Sequence, residues 1–124
     1  MTGTNSFRNL TVWQRSIELT LEIYQLTRLF PREEIFGLTS QIRRASVSIA
    51  SNIAEGQGRA TKGEFIQFLG IARGSNCELQ TQLIIARGLS FGDQATLANC
   101  ESLAAEVGKM LNSLITSLNP KTRN

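Results

Sequence analysis

Residues 38–59 read LTSQIRRASVSIASNIAEGQGR. Placed at the helical angle of about 100° per residue, Leu38, Ile42, Ala45, Ile49 and Ile53 fall within about 80° of arc. Arg44, Ser51 and Glu55 fall on the opposite side. The pattern predicts an amphipathic helix over 38–54. Val47, Ala50 and Ala54 add a weaker apolar patch, with Arg43 at its edge. Gly56-Gln57-Gly58 is expected to end the helix in a flexible or left-handed corner.

Outward from this stretch the same period continues. Upstream, a helix is predicted over 11–29, with Thr11 and Gln14 fitting a capping box. Trp13, Ile17, Leu21 and Tyr24 form one apolar stripe, and Leu19, Ile23 and Leu26 form a second beside it. Phe30-Pro31 stops this helix, because the residue before proline is pushed out of the α region. Residues 32–37 make a connection with room for a short turn. Downstream, Thr61 and Glu64 give another capping box, and Phe65, Leu69, Ala72, Leu79, Leu83 and Ala86 carry a core stripe to residue 87. Gly70 and Gly74 lie mid-helix, where each costs about 1 kcal/mol against alanine. Close approach of another backbone would account for them, and a kink is the alternative. After a corner at 89–92, Asp93 is placed to cap a last helix. Its repeat is Leu97, Cys100, Ala104, Val107, Leu111, Leu114 and Leu118, and Pro120 ends it.

The prediction is therefore all-α: four helices in one bundle over 10–119, a flexible polar segment at 1–9 and a flexible tail at 120–124. Short joins imply antiparallel neighbours in an up-down-up-down order. Leu19, Ile23, Ile71, Ile85 and Met110 are left over once an inward stripe is assigned to each helix. They are expected to form an oligomer interface rather than a satellite core.

Composition narrows the chemistry. The chain has 124 residues, a net charge of +3 and no histidine. Without histidine the commonest general base and metal ligand are missing, so a Ser-His-Asp triad and any His-containing zinc site are excluded. Cys77 and Cys100 lack metal-ligand spacing and are expected to be reduced packing residues. Glu33, Glu34, Glu55, Glu64 and Glu78 do not make a di-metal bundle site, which needs Glu-x-x-His on two helices. No cofactor or metal is expected. No stretch is long and apolar enough to span a membrane, and the N-terminus lacks a signal-peptide pattern. The expected setting is the cytoplasm.

Arginine makes up most of the thirteen basic residues, which suits bidentate contact with carboxylate or phosphate. In the Arg43-Arg44 doublet the side chains point about 100° apart. One of the pair is expected to form a structural ion pair, with Glu78 as candidate partner, and phosphate contact is the alternative. Arg59 and Lys62 are the further candidates for either role. Asn52 and Glu55 are expected to bond to amides of the glycine corner. Gly56-Gln57-Gly58-Arg59 is not a phosphate loop, since both the P-loop spacing and the preceding strand are missing. Trp13 and Tyr24 are expected to pack in the core rather than stack on bases. The remaining basic residues are scattered, so a nucleic-acid surface would have to be assembled by the fold or by repetition of subunits.

Several stretches carry a resemblance. They are residues 10–14 (LTVWQ), 36–45 (FGLTSQIRRA) and 48–56 (SIASNIAEG) with Gly58-Arg59, then Phe65, Phe68-Leu69, Ala72, Gly74-Ser75 and Glu78. On these the chain resembles the bacterial four-helix-bundle proteins encoded by intervening sequences of large-subunit ribosomal RNA genes, from about Phe7 to Leu118. Ala50 stands where many relatives have proline. The resemblance implies an antiparallel four-helix bundle that assembles as a homopentamer. In a ring of five the charge would total about +15, a strong attractant for polyanions. A related branch is the accessory protein of diversity-generating retroelements, whose basic barrel is thought to bind nucleic acid and a reverse transcriptase; that role comes over as fold analogy only. In the family motif, Trp13, Gly37, Asn52, Glu55, Gly56, Gly58 and Glu78 look structural. The expected function is a non-enzymatic, oligomeric accessory or scaffold protein that binds RNA or DNA through an assembled basic surface. The alternative is a protein-interaction module without a nucleic-acid role.

Overall fold

The computed structural model describes residues 6–119. A 3-10 turn at Phe7–Asn9 leads into α1 (Thr11–Thr27), and a second at Arg32–Glu34 joins α1 to α2 (Leu38–Gln57). Helices α3 (Lys62–Gly88) and α4 (Gln94–Leu118) follow, with no strand among the described residues. Of the two segments expected to be flexible, positions 1–5 and 120–124 lie outside the described residues. Within the first, Ser6 Oγ accepts from the Arg8 amide and caps the 3-10 turn.

Each helix packs on its neighbours in sequence and α4 returns to α1, while neither diagonal pair approaches. The core thus fills the centre of a four-sided array. In α2 the arc read from the sequence is the inward face: Ile42, Ala45, Ile49 and Ile53 are buried, and Leu38 packs half-buried at its start. Small residues on the same face bring α1 close. The Thr20 hydroxyl, on α1, donates to its own Ser16 carbonyl at 2.9 Å and across to the Ser46 carbonyl on α2 at 3.2 Å.

Helix α1 is rotated relative to the first stripe that the sequence offers. Leu21 is 63% exposed and Tyr24 is also exposed, whereas Leu19, Ile23 and Leu26 are fully buried together with Val12 and Ser16. Leu19 and Ile23 are therefore core residues and not the interface expected of them. Sequence hydrophobicity misplaces the face because it discounts Ser16. The buried hydroxyl of that residue is satisfied locally by the Trp13 carbonyl at 2.7 Å, so a small polar residue fills the centre at little expense. The start of α1 also differs. Thr11 makes no cap; Leu10 is the N-cap, and Gln14 Nε2 donates instead to the Arg8 carbonyl.

The corner between α2 and α3 is not left-handed. Gly58 has φ −82°, and α2 runs on through Gly56 to Gln57. Gly56 is needed for space. A Cβ there would lie 2.7 Å from Phe68 Cβ and 3.0 Å from Phe65 Cδ1, so glycine lets the start of α3 cross directly against α2. The predicted Thr61–Glu64 capping box is present. Gly70 and Gly74, by contrast, have open space beyond them in the single chain, and α3 is continuous through both. The close backbone approach expected there does not occur within one copy.

At the α3–α4 corner, Ser90 is left-handed (φ 60°), Ser90 N donates to the Arg87 carbonyl and Phe91 N to the Ala86 carbonyl. This is a Schellman ending with serine where glycine is usual. Gly92 (φ 80°) then passes so near Leu26 and Phe30 that no side chain fits, and Asp93 caps α4 by accepting from Thr96 N at 2.9 Å. Between α3 and α4, the buried Asn76 amide donates to the Ala104 carbonyl at 2.9 Å and fills the notch over Gly108.

Candidate nucleic-acid interface

The arginine doublet divides its labour. Arg43 is half-buried and turned toward α1: Nε donates to Thr27 Oγ1 at 2.8 Å, and the guanidinium lies 4.6 Å from the Tyr24 ring centroid. The Thr27 hydroxyl in turn donates to the Ile23 carbonyl at 2.8 Å, which fixes its orientation. Arg43 thus ties α2 to the end of α1 through a hydroxyl and an aromatic face, not through the expected carboxylate. Arg44, one residue on, is exposed and makes no ion pair among the described residues. Neither arginine meets Glu78, which is exposed and accepts only from Gln82 Nε2 at 3.4 Å.

Arg59 closes the α2–α3 corner. It pairs with Glu55 at 3.1 Å and places its guanidinium 4.7 Å from the Phe68 ring centroid. The corner amides are held by backbone carbonyls, since Gly58 N donates to Ala54 and Glu55 and Arg59 N to Gly56. Of the two residues expected to bond to them, Glu55 does so through its backbone carbonyl, and the Asn52 amide turns back along α2 instead. Asn52 Nδ2 donates to the Ser48 carbonyl and hydroxyl, and Ser48 Oγ shares a 2.9 Å hydrogen bond with Ser75 Oγ on α3. Lys62 opens α3 and is exposed without an ion pair among the described residues. About 20 Å of helix separates Arg44 from the corner that carries Arg59 and Lys62. The four basic candidates thus form no single pocket.

The other motif residues hold the frame. Trp13 is half-buried in edge contact with Phe7, centroids 5.1 Å apart. Gly37 leaves room for the Glu34 carboxylate, which accepts from Leu38 N at 3.1 Å and so caps α2. Cys100 is buried, and burial pushes its thiol up to about 12; Cys77 is exposed, contrary to the packing role expected of both. Among the described residues no group of three His, Cys, Asp or Glu could hold a metal ion, and no helix is long and apolar enough to cross a membrane.

Sequence reasoning missed one more surface. A groove runs between α1 and α4 over Leu21, Tyr24 and Leu103. At one end Arg15 makes a two-pronged contact with Glu106, at 2.7 and 3.1 Å, and a second bond to Glu18 at 2.7 Å. The bond from Arg15 holds the Glu106 carboxyl below its ordinary range. The Leu21–Tyr24 stripe is the signal in the sequence, and it faces outward over this groove.

The profile of the 23S rRNA-intervening sequence protein family matches residues 8–113, which takes in every candidate residue above. The chain belongs to this family. No curated protein matches it. Among solved structures, the chain is similar to a protein of unknown function from the S23 ribosomal protein family of Bacteroides thetaiotaomicron. The TM-score is 0.77 at 25% identity, over 85% of this chain and 98% of that one. Of the four basic candidates, Arg44 and Lys62 are the two with neither an ion pair nor an aromatic contact among the described residues.

Proposed function

We propose that the chain is a non-enzymatic scaffold that assembles with copies of itself, as a homopentamer, and offers nucleic acid the basic surface so repeated. Its helices are read as antiparallel, up-down-up-down. Cross-helix contacts support this, because their numbers run in opposite directions: Arg15 to Glu106 and Glu22 to Asn99 on α1 and α4, with Phe30 meeting Phe91 on the joins just beyond them, and Thr20 to Ser46 and Thr27 to Arg43 on α1 and α2.

The observation that carries the reading is the amount of large apolar side chain left outside. Phe36 is 93% exposed, Ile84 68%, Leu29 66% and Leu21 63%, on a chain whose core is already closed. Scattered single exposures are ordinary, but several large residues on the outer faces mark contact surfaces. Arg44 and Lys62 then recur in every copy, and phosphate contact grows with the number of copies. The chain has no histidine to serve as a general base. A second reading, a protein partner, draws on Ile84, Ile85 and Leu89, all exposed at one end of α3.

The test is light scattering on the purified protein, then fluorescence anisotropy with a structured RNA and a matched DNA duplex across a salt series. Assembly with binding that falls steeply with salt, and falls further in Arg44→Ala, supports the proposal. An assembled protein that binds neither polymer at low salt overturns the nucleic-acid role and leaves the protein partner.

A further inference from the structure

We infer that Phe36 of one copy seats in the α1–α4 groove of a second copy, an inference that rests on the proposed self-assembly and names its contact. Phe36 stands on the join between α1 and α2, beside the half-exposed Ile35, and touches almost nothing in its own chain. An aromatic ring in water at this exposure forgoes the largest apolar burial that one side chain can supply. The groove offers the room: Leu21, Tyr24 and Leu103 are its apolar lining, and its volume of ≈ 740 Å³ is ample for Phe36 and Ile35 together.

Charge complementarity selects a second copy as the occupant. Of the charged residues lining the groove, Arg15 is shared between Glu18 and Glu106, which leaves that end of the groove with one excess negative charge. Glu22, held only by Asn99 at 3.4 Å, and Arg28 have no ion-pair partner among the described residues. The knob is flanked by Arg32 and Glu33, both exposed and likewise without an ion pair. One acid and one base on each side can therefore pair crosswise, Arg32 with Glu22 and Glu33 with Arg28. In a ring of five every contact joins unlike patches, and a knob on one join with a groove on another seam is the form such a contact takes.

The experiment uses the full chain with Phe36→Glu (knob lost) and Leu21→Glu (groove lost). Both positions are exposed, so circular dichroism should show unchanged helix content in each. Light scattering should give a multiple of 13.7 kDa for the wild type and 13.7 kDa for either variant alone. An equimolar mixture should give a species of about twice the chain mass, because one intact knob then meets one intact groove. A Phe36→Glu protein that keeps the wild-type mass overturns the inference and leaves self-assembly standing. Two monomeric variants that stay monomeric when mixed also overturn it. A monomeric wild type overturns self-assembly and this contact together.

Discussion

Replacing Gly56 by alanine should destabilise the protein, although alanine is the better helix former. Gly56 lies in the last turn of α2, so the propensity gain is at most about 1 kcal/mol. Against it stands a new methyl group 2.7 Å from Phe68 Cβ and 3.3 Å from the Phe65 carbonyl oxygen. These atoms are fixed to the α3 backbone and cannot swing aside as a side-chain tip would. The helices must separate by several tenths of an ångström, and overpacking of this kind costs about 1–3 kcal/mol. The net loss is about 1–2 kcal/mol. At roughly 2 cal/mol/K per residue of unfolding entropy, that lowers Tm by about 4–8 °C. Gly74→Ala is the paired control: nothing lies within 4 Å of its added carbon, so it should raise Tm by about 3 °C. Both are read by thermal unfolding followed at 222 nm, at one protein concentration because association shifts Tm. A Gly56→Ala protein as stable as the wild type would refute the close-packing account. A destabilised Gly74→Ala protein would show that a second copy meets that face.

The arginine doublet should separate by assay. Arg43→Ala loses the Thr27 hydrogen bond and the Tyr24 contact and should cost about 1–2 kcal/mol in urea unfolding, whereas Arg44→Ala should stay within about 0.5 kcal/mol and act on nucleic-acid binding alone. Acid should destabilise with a defined sign. The Glu106 carboxyl is lowered chiefly by the Arg15 side chain and that of Asp93 chiefly by the Thr96 amide, so the unfolded chain takes up protons first. This stability is complete above the unfolded carboxylate value of about 4 and is lost as pH falls through the lower folded values. Tm should therefore drop below pH ~4 and stay flat from pH ~6 to 8, where no histidine titrates. Glu106→Gln with Asp93→Asn should show a shallower acid limb. A thiol reagent should label Cys77 in the native protein and reach Cys100 only in denaturant, which mass spectrometry after short labelling would show.

Much of the frame was legible because helical period and caps are local. The α2 face from Ile42 to Ile53, the Thr61–Glu64 box and the Asp93 cap are each set by residues within about three turns of one another. The misreadings share a different cause. In α1 two stripes compete, and Ser16 decides between them only once its hydroxyl has found the Trp13 carbonyl. Gly56 looks like a stop signal, and its job is visible only when Phe68 arrives from the next helix. A carboxylate is the partner that the sequence suggests for Arg43, because charge is written in a sequence whereas the accepting oxygen of Thr27, sixteen residues upstream, is not. Cys77 and Cys100 both sit in apolar periodic surroundings, and the rotation of each helix alone tells the exposed thiol from the buried one.

The amide of Asn76 resting over Gly108 ties two distant positions into one inherited character. Alanine at 108 would bring its Cβ to 2.9 Å from Asn76 Nδ2, so the amide must turn aside and give up its bond to the Ala104 carbonyl unless residue 76 has already become smaller. The reverse order empties the notch and leaves the Ala104 carbonyl with only the longer bond from Gln80 Nε2 across the seam. Either first step is harmful, and the second step repairs it. Relatives should therefore carry the large–small pair or a small–small pair, with few sequences in between, and the sequence record at 76 and 108 should move in joint jumps.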